Sequence, residues 1–158
     1  MTVRLSQSLT EQMLGSVAGA GQKSFQEIFN AGTGALVKFY TGIQPADSDM
    51  PMPGTHIATA TDVLFDDATG DIIYTTVPVP PALGLPAAGA NGLSAGCARL
   101  MLPLDDNSQD DVNKNWPRVD LSCGTTVGDI TFPGQDSIIK DGSSNQWNFL
   151  YLQLPRGI

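Results

Sequence analysis

Few residues in this chain have types and spacings that could do chemistry, and each set lacks a part that its chemistry requires. Gly19-Ala20-Gly21-Gln22-Lys23-Ser24 has the outline of a phosphate-binding loop. That motif follows a strand and needs Gly directly before Lys-Ser, so that backbone N–H groups can curl round the phosphates. Gln22 stands where the glycine belongs, and the segment reads as a flexible break before a capped helix. Asp105-Asp106-Asn107-Ser108-Gln109-Asp110-Asp111 is the densest run of oxygen ligands. A calcium loop of the EF-hand type wants Gly at its sixth position and a bidentate Glu at its twelfth, where this chain has Asp110 and Trp116. The expectation for this run is a solvated hairpin turn.

His56 is the sole histidine, so no second imidazole can complete a metal pair, and no Ser or Cys sits in a recognisable nucleophile setting beside it. It reads as a surface or edge-strand residue. Cys97, in Gly96-Cys97-Ala98, would need an activating base, and His56 is the only imidazole on offer. Strand parity sets the two thiols apart. In Ala98-Leu100-Leu102-Leu104 the apolar face is even, which leaves Cys97 on the other face; in Val119-Leu121-Cys123 the cysteine shares the apolar face. Two separate thiols are expected, with Cys123 a small core hydrophobe. Trp116 and Trp147 read as core or interface anchors. No catalytic, cofactor-binding or metal-ligating residue is assigned, no cofactor is implied, and the chain reads as a non-enzyme.

The elements that would position these residues begin with a helical stretch over the first 34 residues. Ser8-Leu9-Thr10-Glu11 and Ser24-Phe25-Gln26-Glu27 both have the Ser-x-x-Glu spacing of a capping box. Gly15, Gly19 and Gly21 divide the stretch into two short helices. Phe25, Ile28 and Phe29 make one apolar stripe, and Asn30 and Gly32 end it. After Gly34 the period becomes two. Strands are expected at Leu36–Thr41, Ile57–Val63, Ile72–Val77, Ala98–Leu104, Arg118–Cys123, Asp129–Phe132 and Trp147–Leu154. Residues 78–96, rich in Pro, Ala and Gly, read as a long connection. In the last strand Trp147, Phe149 and Tyr151 point one way and Leu150, Leu152 and Leu154 the other, which suits a central strand or a subunit contact.

These strands imply a mainly β protein, an antiparallel β-sandwich or jelly-roll-like domain over 35–158 with a helical N-terminal arm over 1–34. The 158 residues fit one domain, and 17 Gly with 11 Pro fit many turns. A net charge of −8 repels nucleic acid phosphates. No apolar run is long enough to span a bilayer, and Met1 opens a polar segment rather than a secretory signal. The expectation is therefore no nucleic acid, no membrane, and synthesis under cytoplasm-like conditions. Only 15% of residues are charged, a low share for a free monomer and a natural one for a subunit covered by partners.

Arg4-Leu5-Ser6 opens the ordered pattern. A short helical segment ends at Asn30-Ala31-Gly32, followed by Leu36-Val37-Lys38-Phe39-Tyr40-Thr41-Gly42-Ile43-Gln44-Pro45-Ala46-Asp47 and Gly54-Thr55-His56-Ile57-Ala58-Thr59. Arg99-Leu100-Met101-Leu102-Pro103-Leu104-Asp105-Asp106-Asn107 then runs a strand into an Asp-rich turn. Asp129-Ile130-Thr131-Phe132, Asp141-Gly142 and Tyr151-Leu152-Gln153-Leu154-Pro155 close the chain. In this order of features the chain resembles a family of small tailed-phage virion proteins, in closest wording over residues 36–59. Residues 78–96 and Lys114-Asn115-Trp116-Pro117 depart from the pattern.

The resemblance implies a particle component of β-sandwich type with no catalytic residues. The leading expectation is a capsid decoration (cement) protein, a homo-oligomer (trimer or dimer) on the major capsid protein or other virion subunits. Its candidate interface residues are Phe25, Ile28, Phe29, Trp147, Phe149 and Tyr151. The alternatives are a neck, collar or tail component, and a carbohydrate-binding host-attachment module stacking sugars on Trp116, Tyr40 or Trp147.

Overall fold

Alternation of apolar and polar side chains gives the central strands one apolar and one polar face, and the sheet they form keeps the two apart. The computed structural model describes residues 3–15, 21–66, 72–74, 81–110, 115–132, 136–145, 147 and 151–153. Its strands, in chain order, are β1 (Arg4–Leu5), β2 (Ala35–Tyr40), β3 (His56–Val63), β4 (Ile72–Tyr74), β5 (Ala82–Gly84), β6 (Leu93–Ser94), β7 (Cys97–Met101), β8 (Val119–Gly124), β9 (Ile130–Thr131), β10 (Ile138–Ile139), β11 (Ser144–Asn145) and β12 (Tyr151–Gln153). Two helices, α1 (Gln7–Leu14) and α2 (Phe25–Phe29), precede β2. Among the described residues the fold is mainly β, with antiparallel sheets and only two α-helices.

Eight strands make one sheet in the order β1-β8-β7-β2-β3-β5-β11, with β9 joined to β8 as a parallel neighbour. The other pairings in this sheet are antiparallel. Two further antiparallel ribbons pair β6 with β10 and β4 with β12. Residues paired across neighbouring strands share a face, so the register defines both surfaces. Ala60, Val37, Leu100 and Val119 form one lateral row, and Ala58, Phe39, Ala98 and Leu121 the next. All eight are buried and constitute the inner face. Between them runs the outer row Thr59, Lys38, Arg99, Asp120 and Arg4.

The core lies on the inner face. Phe39 meets Phe132 at 5.7 Å between ring centres and Trp147 edge-on at 5.3 Å. Phe25 packs on Phe29 at 4.6 Å and edge-on against Phe65 at 5.2 Å. Leu9 of α1 and Phe25, Ile28 and Phe29 of α2 belong to the same buried cluster as these sheet residues. Within segment 1–34, read from sequence as an arm, Leu9 and the Phe25, Ile28 and Phe29 stripe are thus packed into the core of their own chain.

The two helix starts behave differently. At α2 the capping box is complete: Glu27 N–H donates to Ser24 Oγ at 3.2 Å, and Ser24 N–H donates to Glu27 Oε2 at 2.6 Å. Asn30 ends this helix and its side chain clamps Phe65, donating from Nδ2 to the Phe65 carbonyl and accepting from the Phe65 N–H, both at 2.8 Å. The box expected at Ser8 does not form. α1 is capped instead by Ser6, whose Oγ accepts from Leu9 N–H. Tertiary bonds explain the choice. Ser6 Oγ also accepts from Arg118 N–H at 2.9 Å and donates to the Trp116 carbonyl at 3.1 Å, while Ser6 N–H donates to the Arg118 carbonyl at 3.0 Å. The cap position is fixed by the seam between β1 and β8, beyond any local pattern.

Residues 81–96 carry more structure than the expected long connection. β5 bridges β3 and β11, Pro86–Ala88 is a 3-10 turn, and β6 pairs with β10. Their small side chains are needed because backbones pass close by. A Cβ at Gly84 would run into the Lys140 carbonyl. Of the strand expected at Trp147–Leu154, only Tyr151–Gln153 is described as strand.

Candidate functional site

The outer row places Arg99 and Asp120 directly opposite one another on β7 and β8. Their side chains form a two-pronged ion pair, with Arg99 Nε 2.7 Å from Asp120 Oδ1 and Nη2 2.9 Å from Oδ2. A second pair lies alongside. Arg118, one residue before β8, reaches Asp105 through Nε at 2.6 Å and Nη2 at 2.6 Å. All four side chains are buried. Two fork-to-fork pairs of this kind satisfy carboxylates and guanidinium groups together, which is what allows such charges out of water.

What covers them is a pair of loops. Residues 42–54 leave β2 and fold back over the outer face, and residues 102–110 follow β7. Arg99 donates from Nη2 to the Ser48 and Met50 carbonyls at 3.1 and 2.9 Å, and from Nη1 to Asn107 Oδ1 at 2.9 Å. Arg118 donates to the Asp49 carbonyl at 3.2 Å and the Ser108 carbonyl at 2.7 Å. The loops also bond each other: Met52 N–H donates to Asn107 Oδ1 at 3.2 Å, and Asp110 N–H to the Asp49 carbonyl at 2.7 Å. The N-terminal segment adds a third hold. Arg4 Nη1 donates to the Pro45 carbonyl, and Gln7 N–H, at the start of α1, donates to Asp49 Oδ1 at 3.0 Å. Gly54 closes the loop against β2, where a Cβ would collide with the Thr41 carbonyl.

Charge on this site is strongly directed. Burial works against the charge on Arg118, but the hydrogen bond and charge of Asp105, with Asp110 and Asp120 behind it, prevail and raise its pKa. Asp49 is pushed up from the usual carboxylate range by burial, with Asp47 and Asp110 adding to the rise against Gln7 N–H and Arg118.

The remaining candidates are quiet groups. Tyr40, Met52 and Cys97 make a small second cluster on the outer face, while Cys123 packs at the edge of the main core, so the thiols do sit on opposite faces and are both free. Burial pushes the Cys97 thiol up to about 11, with Asp120 adding to it, and Tyr40 up to about 12. Burial also raises Cys123, with smaller contributions from Cys97 and Asp129. Both thiols are therefore protonated at neutral pH and weak nucleophiles. His56 lies against Tyr40, with Nε2 2.9 Å from Thr59 Oγ1 and 3.1 Å from the Ala58 carbonyl. Burial lowers its pKa, and Lys38 lowers it further. Among the described residues no group of three His, Cys, Asp or Glu side chains is placed to hold a metal ion, and no helix is long and apolar enough to cross a membrane.

The acidic run departs from its expected solvated turn. Asp105 is buried in the Arg118 pair, and Asn107 takes a left-handed backbone (φ 62°) with its side chain bonded to Arg99 and Met52. Phe25, Ile28, Phe29 and Trp147, considered as interface residues, are placed in the core. Phe149 lies outside the described residues, and Tyr151 is placed only through the pairing of its strand with β4. Of the three candidate sugar platforms, Tyr40 and Trp147 are buried and offer no open ring face; Trp116 is half-buried.

Arg99, Arg118, Asp120 and the structural role of Asp105 escaped the sequence reading. The partners are 21 and 13 residues apart, so no local spacing joins them. The available signal was weaker: charged residues in two expected strands of a chain with few charges. No family model, no curated protein and no solved structure matches the chain.

Proposed function

We propose that this chain is a structural protein of a tailed-phage particle, acting as a decoration protein that fastens to the capsid shell through its surface. The resemblance of residues 36–59 and of the order of elements supports the particle assignment. The observation that carries a surface role is the double Arg–Asp clamp. It places four charged side chains in the interior, each bonded to a partner or a loop carbonyl, and its product is a fixed pair of loops. Fixing a surface before contact removes the ordering cost that binding would otherwise incur. Many copies of such a subunit, each burying apolar area at roughly 25 cal/mol per Å², would brace a shell against internal pressure.

Copy number tests this directly. Quantitative mass spectrometry of purified particles, scaled to the major capsid protein, is expected to find the chain in hundreds of copies. A dozen or so would move it to the neck or tail and overturn decoration while keeping the virion role. Its absence from the particle would overturn the proposal.

A further inference from the structure

The loops held by the clamp turn apolar side chains outward. Leu104 is 83% exposed while its neighbour Asp105 is 2% exposed, an inversion of the usual preference of both residues. The geometry behind it is a tight turn: Asp105 N–H donates to the Leu102 carbonyl at 3.0 Å, Pro103 occupies the second position, and Leu104 forms the apex. Asp105, at the foot of this turn, is gripped by Arg118. The same guanidinium bonds the carbonyl of Asp49, so Met50 and Leu104 each lie one residue from a group on Arg118. Met50 is 44% exposed, and Pro51, Pro53 and Pro103 are exposed as well. Three prolines and a buried ion pair leave this apolar surface few conformations to lose on binding.

Among the described residues its rim carries carboxylates. Asp47, Asp49 and Asp110 lie close enough to feel one another, whereas Arg4, Arg99 and Arg118 all turn inward onto carbonyls and carboxylates. A twofold contact between copies would set these carboxylates against themselves, which disfavours a dimer of this chain through this face.

We infer that Met50, Pro51, Pro53, Pro103 and Leu104 form the docking face of the chain, and that its occupant is a basic protein surface on the particle with an apolar pocket for Leu104. This inference rests on the virion reading and names the partner's chemistry. Leu104 is the anchor, and the acidic rim sets orientation and rate of encounter.

The test uses particles assembled without this chain, to which purified protein is added back and bound copies are counted against concentration. Leu104→Ser touches an exposed apex, so the variant is expected to keep the wild-type melting midpoint. Its affinity for the particles should fall at least about tenfold, the loss of a typical anchor. Ile43→Ser is the control. Ile43 is equally exposed, at 82%, but lies at the other end of β7, where Gly42 meets Gly96, and its substitution should leave binding unchanged. Wild-type affinity should also weaken as salt rises. Leu104→Ser binding like wild type, or binding indifferent to salt, would overturn the inference and leave the virion reading standing. Self-association of the free protein that Leu104→Ser abolishes, with particle binding intact, would overturn it in favour of a second copy. Wild-type protein that binds no particle would bring down both.

Discussion

The two faces of the central sheet are held by different physics. On the inner face, rows such as Val37, Leu100 and Val119 are covered by Phe29, Phe65, Phe132 and Trp147, and attraction there is short-ranged, non-directional and proportional to area. On the outer face, Arg99, Asp120, Arg118 and Asp105 hold loops 42–54 and 102–110 through bonds with fixed direction. An apolar layer tolerates exchange of one greasy side chain for another, whereas a buried ion pair tolerates almost no unilateral change. The first face secures the fold; the second fixes one conformation of a surface.

The sharpest way to break the comparison is to damage each face once. Phe39→Ala removes a ring that touches Phe132 and Trp147, and a loss of about 3–5 kcal/mol is expected. Arg99→Ala leaves Asp120 buried without its counter-charge and should cost a similar amount, about 3–5 kcal/mol. The faces part company in the second step. Replacing both partners, as Arg99→Met with Asp120→Leu, should recover much of that loss, because no orphan charge remains and the Ser48, Met50 and Asn107 acceptors turn to water as the loops loosen. Urea unfolding of the three variants reads this out. A double variant as unstable as Arg99→Ala would mean the pair is a net source of stability rather than a device for conformation.

A smaller effect separates the helix caps. Ser24→Ala removes a local capping box and should cost about 1 kcal/mol. Ser6→Ala removes a cap and the Oγ that also serves Arg118 N–H and the Trp116 carbonyl, so it should cost more, about 2 kcal/mol or above. Equal losses in thermal unfolding would show that the seam between β1 and β8 does not lean on Ser6.

These contrasts follow how much the sequence discloses. Alternation in Leu36–Thr41, Ile57–Val63 and Arg118–Cys123 marks the strands because inner-face burial repeats every second residue. Ser24 to Glu27 marks a helix start because that cap is made within four residues. The clamp leaves no such trace. Arg99 and Asp120 occupy positions where an alternating strand shows any polar residue, and only the register of β7 on β8 brings them together. The acidic run at 105–111 read as a wet turn for the same reason: the cation that draws Asp105 inside lies on another element. Strands β5 and β6 were hidden by composition, since Ala and Gly chosen for close backbone approach resemble loop residues.

The smallest expected effect is on pH. The folded pKa of His56 lies below its ordinary 6.5, so the unfolded chain binds more protons in the window between the two values. Its contribution to stability is complete above about 6.5 and declines as pH falls through that value. His56→Gln should flatten the melting midpoint across this window; an unchanged slope would show that His56 does not set it.

The clamp itself is tested most directly by amide hydrogen exchange, comparing the wild type with the Arg99→Met, Asp120→Leu double variant. The Met52 and Asp110 amides, bonded to Asn107 and Asp49, report on the loops, and the β2–β3 ladder reports on the sheet. The account predicts that loop amides lose protection in the variant while ladder amides keep theirs. Loop amides that stay protected, or loops and ladder opening together, would contradict it.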